Sequence, residues 1–213
     1  MPDWSHIPIQ EFDKLALEDE RLSVLVRRIV LDRLPFTFDT KRQYLNWRDR
    51  FADELECDGH DIVLVGSAAT GRSLSARKKF KVFDKTSDVD IAVISPTHFD
   101  RAWTWFRRTD PNLLTGLDDA GRTLFENHRK HHIFEGVIAA NYFLSYLPFG
   151  NDWMHALRRS EEHLPQQLKG RILRMRIYKD AAALRESQQE ALATFRRSRQ
   201  VPPGDSNVKP KLP

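Results

Sequence analysis

The chain has 213 residues, is 40% hydrophobic and carries a net charge of +4, which predicts one soluble domain with a single substantial core. Its lone Cys57 excludes an intramolecular disulfide and a cysteine zinc cluster, so a cytoplasmic location is expected. No stretch has the length and apolar character of a membrane span and the N-terminus lacks a signal pattern, so no membrane partner is expected.

Apolar spacing predicts helices over residues 11–56, interrupted at Leu34-Pro35-Phe36. Two short apolar runs, 62–65 and 89–94, predict neighbouring strands, and a helix over about 98–108 follows them. Residues 133–147 are expected to be helical, and Asn151 or Asp152 is expected to cap the next helix. The predicted domain spans 1–197, with its core at 61–197.

The last predicted elements are a strand over 172–178 and a helix over 181–195. Asp180 precedes this helix and is expected to be its N-cap, because Asp is a favoured residue there. Residues 198–213 contain little to bury and are predicted to form a disordered basic tail.

The candidate site lies at the two central strands. The first strand ends in Gly66-Ser67, whose free backbone N–H groups suit phosphate oxygens. The second begins in Ser87-Asp88-Val89-Asp90, and strand alternation predicts that Asp88 and Asp90 point the same way. Carboxylate oxygens are the ligands Mg²⁺ prefers, and a pair of divalent ions suits attack on a triphosphate. The pattern therefore predicts a metal-dependent phosphoryl-transfer site.

These residues, followed by Ile91-Ala92-Val93, resemble the signature of the DNA-polymerase-β-like nucleotidyltransferase superfamily, in particular its small bacterial members. The resemblance implies an α+β fold, a small mixed sheet flanked by helices, here with helical N-terminal and C-terminal additions. It also implies an NTP or dNTP donor and Mg²⁺ or Mn²⁺. By this resemblance Gly66 and Ser67 hold the nucleotide phosphates, and Asp88 and Asp90 are the metal ligands and catalytic residues.

The chain departs from the family pattern in two places. Many members carry a third metal-binding carboxylate on a later strand, whereas here the strand ending at Tyr178 presents arginines, and Asp180 is the nearest acid. The connection from Ser67 to Ser87 is also long, and its residues 72–85 include six basic residues and one acidic residue, a net charge of +5. We expect this loop to contact phosphates, with Arg72, Lys78 and Lys79 joining Ser87 as candidate nucleotide-binding residues.

Basic residues are also concentrated in two later segments. Residues 158–179 carry a net charge of +5, from seven basic and two acidic residues, and the chain from Arg196 onward carries +4, from five and one. Clustered basic segments on an otherwise acidic chain predict a polyanionic acceptor such as RNA or DNA, bound through its backbone.

Three histidines, His128, His131 and His132, share a helix face by their spacing. No fourth ligand with zinc spacing lies nearby, so they are interpreted as an exposed patch.

The function predicted from the sequence is transfer of a nucleotidyl group to a nucleic acid, protein or nucleotide acceptor, in phage defence or a toxin–antitoxin system. The missing third carboxylate leaves an alternative: a catalytically degenerate binding or antitoxin module with a protein partner. A third interpretation is a signal-nucleotide or template-free DNA synthase.

Overall fold

A four-stranded mixed sheet lies at the centre of the computed structural model, which describes residues 7–200. Its strands are β1 (Ile62–Val65), β2 (Val89–Ile94), β3 (Val137–Ile138) and β4 (Leu173–Tyr178), in the spatial order β1-β2-β4-β3. β1 is antiparallel to β2, β2 is parallel to β4, and β3 is antiparallel to β4. The predicted α+β class and small mixed sheet are confirmed.

Helices surround this sheet. Over residues 7–200 the α-helices are α1 (Ile9–Leu17), α2 (Leu22–Leu25), α3 (Lys41–Glu54), α4 (Gly66–Thr70), α5 (Pro96–Arg108), α6 (Asp119–Asn127), α7 (Ala140–Phe143), α8 (Gly150–Ser160) and α9 (Ala181–Gln200). A π-helical segment, Val26–Leu31, continues α2 directly, and a second, His128–His132, continues α6. Within the described part of the chain, none of the helices combines the length and the apolar composition that crossing a bilayer requires.

The two faces of the sheet differ in character. One face packs into the main hydrophobic core against aromatic side chains of α3, α5 and α8, and its strand residues are Ile62, Leu64, Val89, Ile91, Val93, Met175 and Ile177. Burying each such side chain contributes about 1.5–3 kcal/mol of hydrophobic stabilisation. The opposite face buries Val65, Ala92 and Tyr178 beneath Leu184 of α9. The candidate site lies on this second face, so it shares its surface with α9.

The helices predicted for the N-terminal region form, but the first of them is interrupted after Leu17. α1 ends at Leu17 and α2 begins at Leu22. The side chain of Arg196 in α9 bridges this break. Its Nε donates to the carbonyl of Ala16 at 2.6 Å, its Nη1 donates to that of Glu20 at 3.2 Å, and its Nη2 donates to that of Glu18. Arg196 therefore satisfies carbonyls that the end of a helix leaves without partners.

The prediction of a helix over 133–147 is wrong for its first half. Gly136 adopts φ +71°, which a helix excludes, and the chain then enters β3. Val137 pairs with Tyr178 and Ile138 with Ile177, so sheet pairing replaces the expected helical turn. The helical part that remains is α7 with a 3₁₀ segment over Leu144–Tyr146.

Two predicted helix caps have opposite outcomes. Asp180 caps α9, because its Oδ1 accepts the backbone N–H of Ala183 at 2.9 Å, and this prediction is confirmed. Asn151 and Asp152 do not cap α8, which begins one residue earlier at Gly150 without a side-chain cap. Gly150 is required there because a Cβ would lie 1.5 Å from the carbonyl oxygen of Leu144.

α9 extends to Gln200, so the start of the predicted tail is helical; residues 201–213 lie outside the described residues.

One of the three clustered histidines is buried, contrary to the expectation of an exposed patch. The His128 side chain is 1% exposed, stacks on Phe106 at 5.0 Å between ring centroids, and accepts the backbone N–H of Ala139 at its Nε2, at 3.2 Å. Burial, with smaller contributions from His132 and Arg176, lowers the pKa of His128 to about 4. His128 is therefore a neutral core residue near pH 7.

This burial predicts an acid-sensitive fold. His128 stays neutral in the folded chain down to about pH 4, whereas in the unfolded chain it takes up a proton below its ordinary pKa of 6.5. The free energy of unfolding should therefore fall by about 3 kcal/mol as the pH drops from 6.5 to 4. Urea titrations across this range should show the loss, and His128→Gln should flatten it. An equally steep dependence in that variant would contradict the assignment.

Candidate active-site cleft

The Gly66-Ser67 turn lies directly against the acidic pair because of strand register. Val65 at the end of β1 pairs with Asp90 of β2, so the chain leaves the sheet beside that carboxylate. Gly66 adopts φ +65°, and a Cβ at this position would lie 2.7 Å from Oδ2 of Asp90. Only glycine allows both the left-handed backbone and this close approach. The turn leads into the short helix α4, in which Ser67 is buried.

Two arginines of β4 lie beside the acidic pair, since parallel register pairs Asp90 with Arg174 and Ala92 with Arg176. These are the positions at which the sequence shows basic residues in place of the third carboxylate. Asp180 follows Tyr178, which pairs with Ile94 at the other end of β2. Asp180 is therefore separated from the pair by the length of the strand, and among residues 7–200 no cluster of three acidic, histidine or cysteine residues forms a metal site.

Asp88 is held by two cations of its own chain. Lys78 Nζ donates to its Oδ2 at 3.3 Å, and Arg174 Nε lies 3.0 Å from the same oxygen. The Arg174 N–H does not point at that oxygen, so this contact is an ion pair without a well-formed hydrogen bond. The two contacts to one oxygen leave Asp88 only partly exposed, and its charge is balanced within the fold.

Asp90 is half-buried, as Asp88 is, and desolvation raises the pKa of its carboxyl group. Arg176, Lys78 and Arg174 oppose the rise, whereas Asp88 adds to it because two neighbouring carboxylates repel each other. Two carboxylates and three cations thus share the site, for a net charge of +1. A free divalent cation meets a positive environment here, whereas an anion meets an attractive one.

Asp90, Lys78, Arg174 and Arg176 border a cleft of about 490 Å³, and Asp88 lies beside it. Its walls come from the Gly66 turn, the start of the basic loop, the segment after β3, β4 and α9. The lining residues that bear on its chemistry are Gly66, Ser67, Ser73, Ser75, Arg77, Lys78, Asp90, Asn141, Tyr142, Arg174, Arg176, Gln188 and Glu190, the last an exposed carboxylate of α9. The volume falls in the range of small-molecule sites. Hydroxyl, amide and cationic donors dominate its polar groups, which suits a phosphorylated ligand.

The basic loop reaches this cleft only in part. Lys78 lies in a 3₁₀ turn, Ala76–Lys78, and Arg77 beside it also lines the cleft. Phe80 holds the loop against α9, with its ring centroid 5.6 Å from that of Phe195. The loop is therefore an anchored wall of the cleft, and it presents Arg77 and Lys78 to the interior.

Three predicted nucleotide-binding residues are placed elsewhere. Arg72 pairs with Asp13 of α1 at 2.7 Å and donates to the carbonyl of Phe80 at 2.8 Å. Lys79 is exposed and does not line the cleft. The Ser87 hydroxyl accepts the backbone N–H of Asp84 at 3.0 Å and donates to its carboxylate at 3.2 Å. The structure thus brings together Gly66, Ser67, Lys78, Asp88 and Asp90, and uses Arg72 and Ser87 to hold the loop.

Sequence reasoning missed the contribution of α9 and of the segment after β3. Gln188 is a buried amide in an otherwise amphipathic helix, and Asn141 and Tyr142 follow a strand of only two residues. A buried polar residue on the apolar face of α9 was the one signal available for Gln188. Nothing local in the sequence marks the other two, because their place in the cleft depends on β3 pairing with β4.

The contact between Gly66 and Asp90 yields a matched pair of variants. Gly66→Ala should destabilise the fold through left-handed strain of about 1–2 kcal/mol and, in addition, by displacing the Asp90 carboxylate. Gly170 has φ +71°, but a Cβ at this position would meet nothing within 4 Å, so Gly170→Ala carries the strain alone. Denaturant unfolding should show a larger loss for Gly66→Ala. Equal losses would mean that the Asp90 contact contributes nothing.

Comparison of the chain with protein-family models, with curated proteins and with solved structures found no match. A functional assignment therefore rests on the residues of the site. One face of the sheet brings together two carboxylates of β2, the Gly66-Ser67 turn after β1, and cations from the loop and β4.

Proposed function

We propose that this protein is a metal-dependent nucleotidyltransferase with a polymerase-β-like core, which binds a nucleoside triphosphate in the cleft beside Asp88 and Asp90. The observation that carries the proposal is that the Gly66-Ser67 turn and Asp90 line one cleft with Lys78, Arg174 and Arg176. Asp88 lies beside that cleft, paired with Lys78 and Arg174. A triphosphate needs this combination of backbone and cationic donors. The acceptor is RNA, DNA, a protein hydroxyl or a second nucleotide.

Asp88 and Asp90 suit a divalent cation on the condition that a nucleotide is bound at the same time. Asp88 and Asp90 offer hard carboxylate oxygens, which Mg²⁺ and Mn²⁺ prefer, but Lys78 and Arg174 already neutralise Asp88. A triphosphate in the cleft competes for those two cations and so releases the Asp88 carboxylate. When bound, the metal supplies Lewis-acid stabilisation of the charge that develops on the phosphate oxygens. Metal and nucleotide therefore bind together, and neither carboxylate is a strong metal ligand alone.

The chain's own residues have separate roles in this proposal. Lys78 and Arg174 bind the phosphates and orient them relative to Asp88. Arg176 opposes the rise in the pKa of Asp90 that desolvation causes, and so favours the ionised form of that carboxylate. Gly66 allows the phosphates to approach the turn without a side chain in the way.

A second candidate function is nucleotide binding without chemistry, as a binding or antitoxin module. Arg174 favours it, because this residue stands beside Asp90 and forms an ion pair with Asp88, on the strand where a third carboxylate was expected. The two candidates share the cleft and the ligand. They differ in whether the nucleotide is consumed.

Turnover decides between them. Purified protein is incubated with each labelled NTP or dNTP, with Mg²⁺ or Mn²⁺, and with RNA, DNA or no added acceptor; label should appear on an acceptor with release of pyrophosphate. Asp88→Asn and Asp90→Asn should each lower the rate by orders of magnitude, because they remove the charge that holds the metal while keeping side-chain shape. Nucleotide binding without any transfer would support the module instead.

Calorimetry tests the coupling of metal and nucleotide. Mn²⁺ should bind weakly to the free protein and tightly once a non-hydrolysable triphosphate analogue is present, since the free site has a net positive charge. Tight binding of Mn²⁺ to the protein alone would contradict the proposed exchange of ion pairs. Failure of every nucleotide to bind would contradict both candidate functions.

The loop lysines provide a second matched pair. Lys78→Ala should weaken nucleotide binding about tenfold or more, because a hydrogen bond between charged groups contributes about 1.5–3 kcal/mol. Lys79→Ala removes the same charge from an exposed neighbour outside the cleft and should leave affinity nearly unchanged. Fluorescence titration with a labelled nucleotide measures both. Equal weakening by the two substitutions would mean that the loop acts through its overall charge.

A further inference from the structure

A second depression, about 1020 Å³ in volume, opens beside the opposite end of β1 and β2 from the acidic pair. Its apolar floor includes Leu31, Val63, Ile94 and Leu184. Its rim comes from the π-helical segment Val26–Leu31, the start of α3 and the start of α9. We call this depression the basic groove, and it lies apart from the residues assigned to nucleotide binding.

The groove is strongly cationic. Five basic and two acidic side chains line it, a net charge of +3, and they are Arg27, Arg33, Lys41, Arg48 and Arg185 with Asp32 and Asp49. Asp49 forms an ion pair with Arg48 at 3.3 Å. Arg27, Lys41 and Arg185 are exposed and form no ion pair with any residue in 7–200. Three cations on the rim are therefore available to an external anion.

Arg33 is a buried cation of the groove, whereas the cations of an ordinary basic surface are solvated. Its side chain is 4% exposed; Nη2 donates to the carbonyl of Ile7 at 2.9 Å and Nε donates to that of Leu34 at 3.2 Å, while Nη1 has no partner among the described residues. No carboxylate in the described residues pairs with this guanidinium. A buried charge without a counter-ion is costly, and an anion in the groove would offset that cost.

The groove is suited to phosphates and not to bases. Tyr44, the one large aromatic residue in its lining, packs against Phe38 at 5.2 Å, and its hydroxyl accepts the backbone N–H of Leu64 at 3.3 Å. That ring is not available for base stacking, so recognition rests on cations spread over three elements. The groove also reaches the upper limit of small-molecule pockets, about 1,000 Å³. A phosphodiester chain suits cations that are spread over several elements and a groove of this size.

We infer that the basic groove binds the sugar-phosphate backbone of a single-stranded nucleic acid, without preference for sequence. Arg27, Lys41 and Arg185 contact phosphates of the strand, and Arg33 lends from beneath the surface a charge that no carboxylate among residues 7–200 balances. This surface is not among the three basic segments of the sequence, because its residues are far apart along the chain. The inference does not depend on nucleotidyl transfer, and its binding measurement needs neither a nucleoside triphosphate nor a metal.

The test measures the anisotropy of a fluorescent 20-nucleotide RNA or DNA of mixed sequence over a range of salt concentrations. Each single-strand phosphate contact contributes about 0.7 to the slope of log affinity against log salt. Replacing Arg27, Lys41 and Arg185 together by Gln should therefore reduce the slope by about 2. All three side chains are exposed, so thermal melting should show an intact fold.

A matched triple variant, Arg42→Gln with Arg108→Gln and Lys169→Gln, removes the same charge from exposed residues outside the groove. Its slope should stay close to that of the unaltered protein. Equal loss in both triple variants would overturn the inference in favour of diffuse charge attraction. Inorganic phosphate or a mononucleotide displacing the strand at stoichiometric concentration would also overturn it, in favour of a small phosphorylated ligand. Failure of the unaltered protein to bind the RNA or DNA strand would likewise overturn the inference.

Discussion

The register of three adjacent strands determines what this protein places in its cleft. Antiparallel pairing sets Val65 opposite Asp90, and parallel pairing sets Arg174 opposite the same residue. A shift by one residue in either pairing would turn one set of these side chains to the other face of the sheet. That other face is wholly apolar and packed, so a shifted register would bury charge in the core. The hydrophobic core therefore maintains the position of polar groups that it does not touch.

The electrostatic balance of the cleft follows from this placement. With two carboxylates beside three cations, each acid is compensated within the fold, and the excess charge is positive. Such a site is stable without a ligand and still attracts an anion, because an incoming phosphate can replace a carboxylate as the partner of Lys78 or Arg174. The arginines of β4 thus leave both aspartates in place but neutralise them, so the site without a ligand attracts an anion more readily than a metal ion.

Local patterns predicted the elements whose cause is local. The apolar runs of β1 and β2, the Gly66 turn and the Asp180 cap each depend on residues within a few positions of one another. The sequence predicted a helix where β3 forms, because the pairing partner of β3 is about 40 residues away along the chain. Arg72 resembled a phosphate ligand for a similar reason, because its partner Asp13 is 59 residues away along the chain. The partner of Ser87, Asp84, is only three residues away, so in that case a local turn was mistaken for part of the site. The basic groove combines Arg27, Lys41 and Arg185, and no short window of sequence contains all three.

Helix α9 borders both depressions, with Arg185 beside the groove and Thr194 beside the cleft. The two linings adjoin along this helix, because Ser187 of the cleft comes two positions after Arg185 of the groove, about 3 Å farther along the axis at a rise of about 1.5 Å per residue. A helix held at one end by the Asp180 cap and at the other by Arg196 does not change its length. α9 is therefore a rigid wall shared by both depressions, so a strand lying in the groove and a nucleotide lying in the cleft would contact successive turns of the same helix.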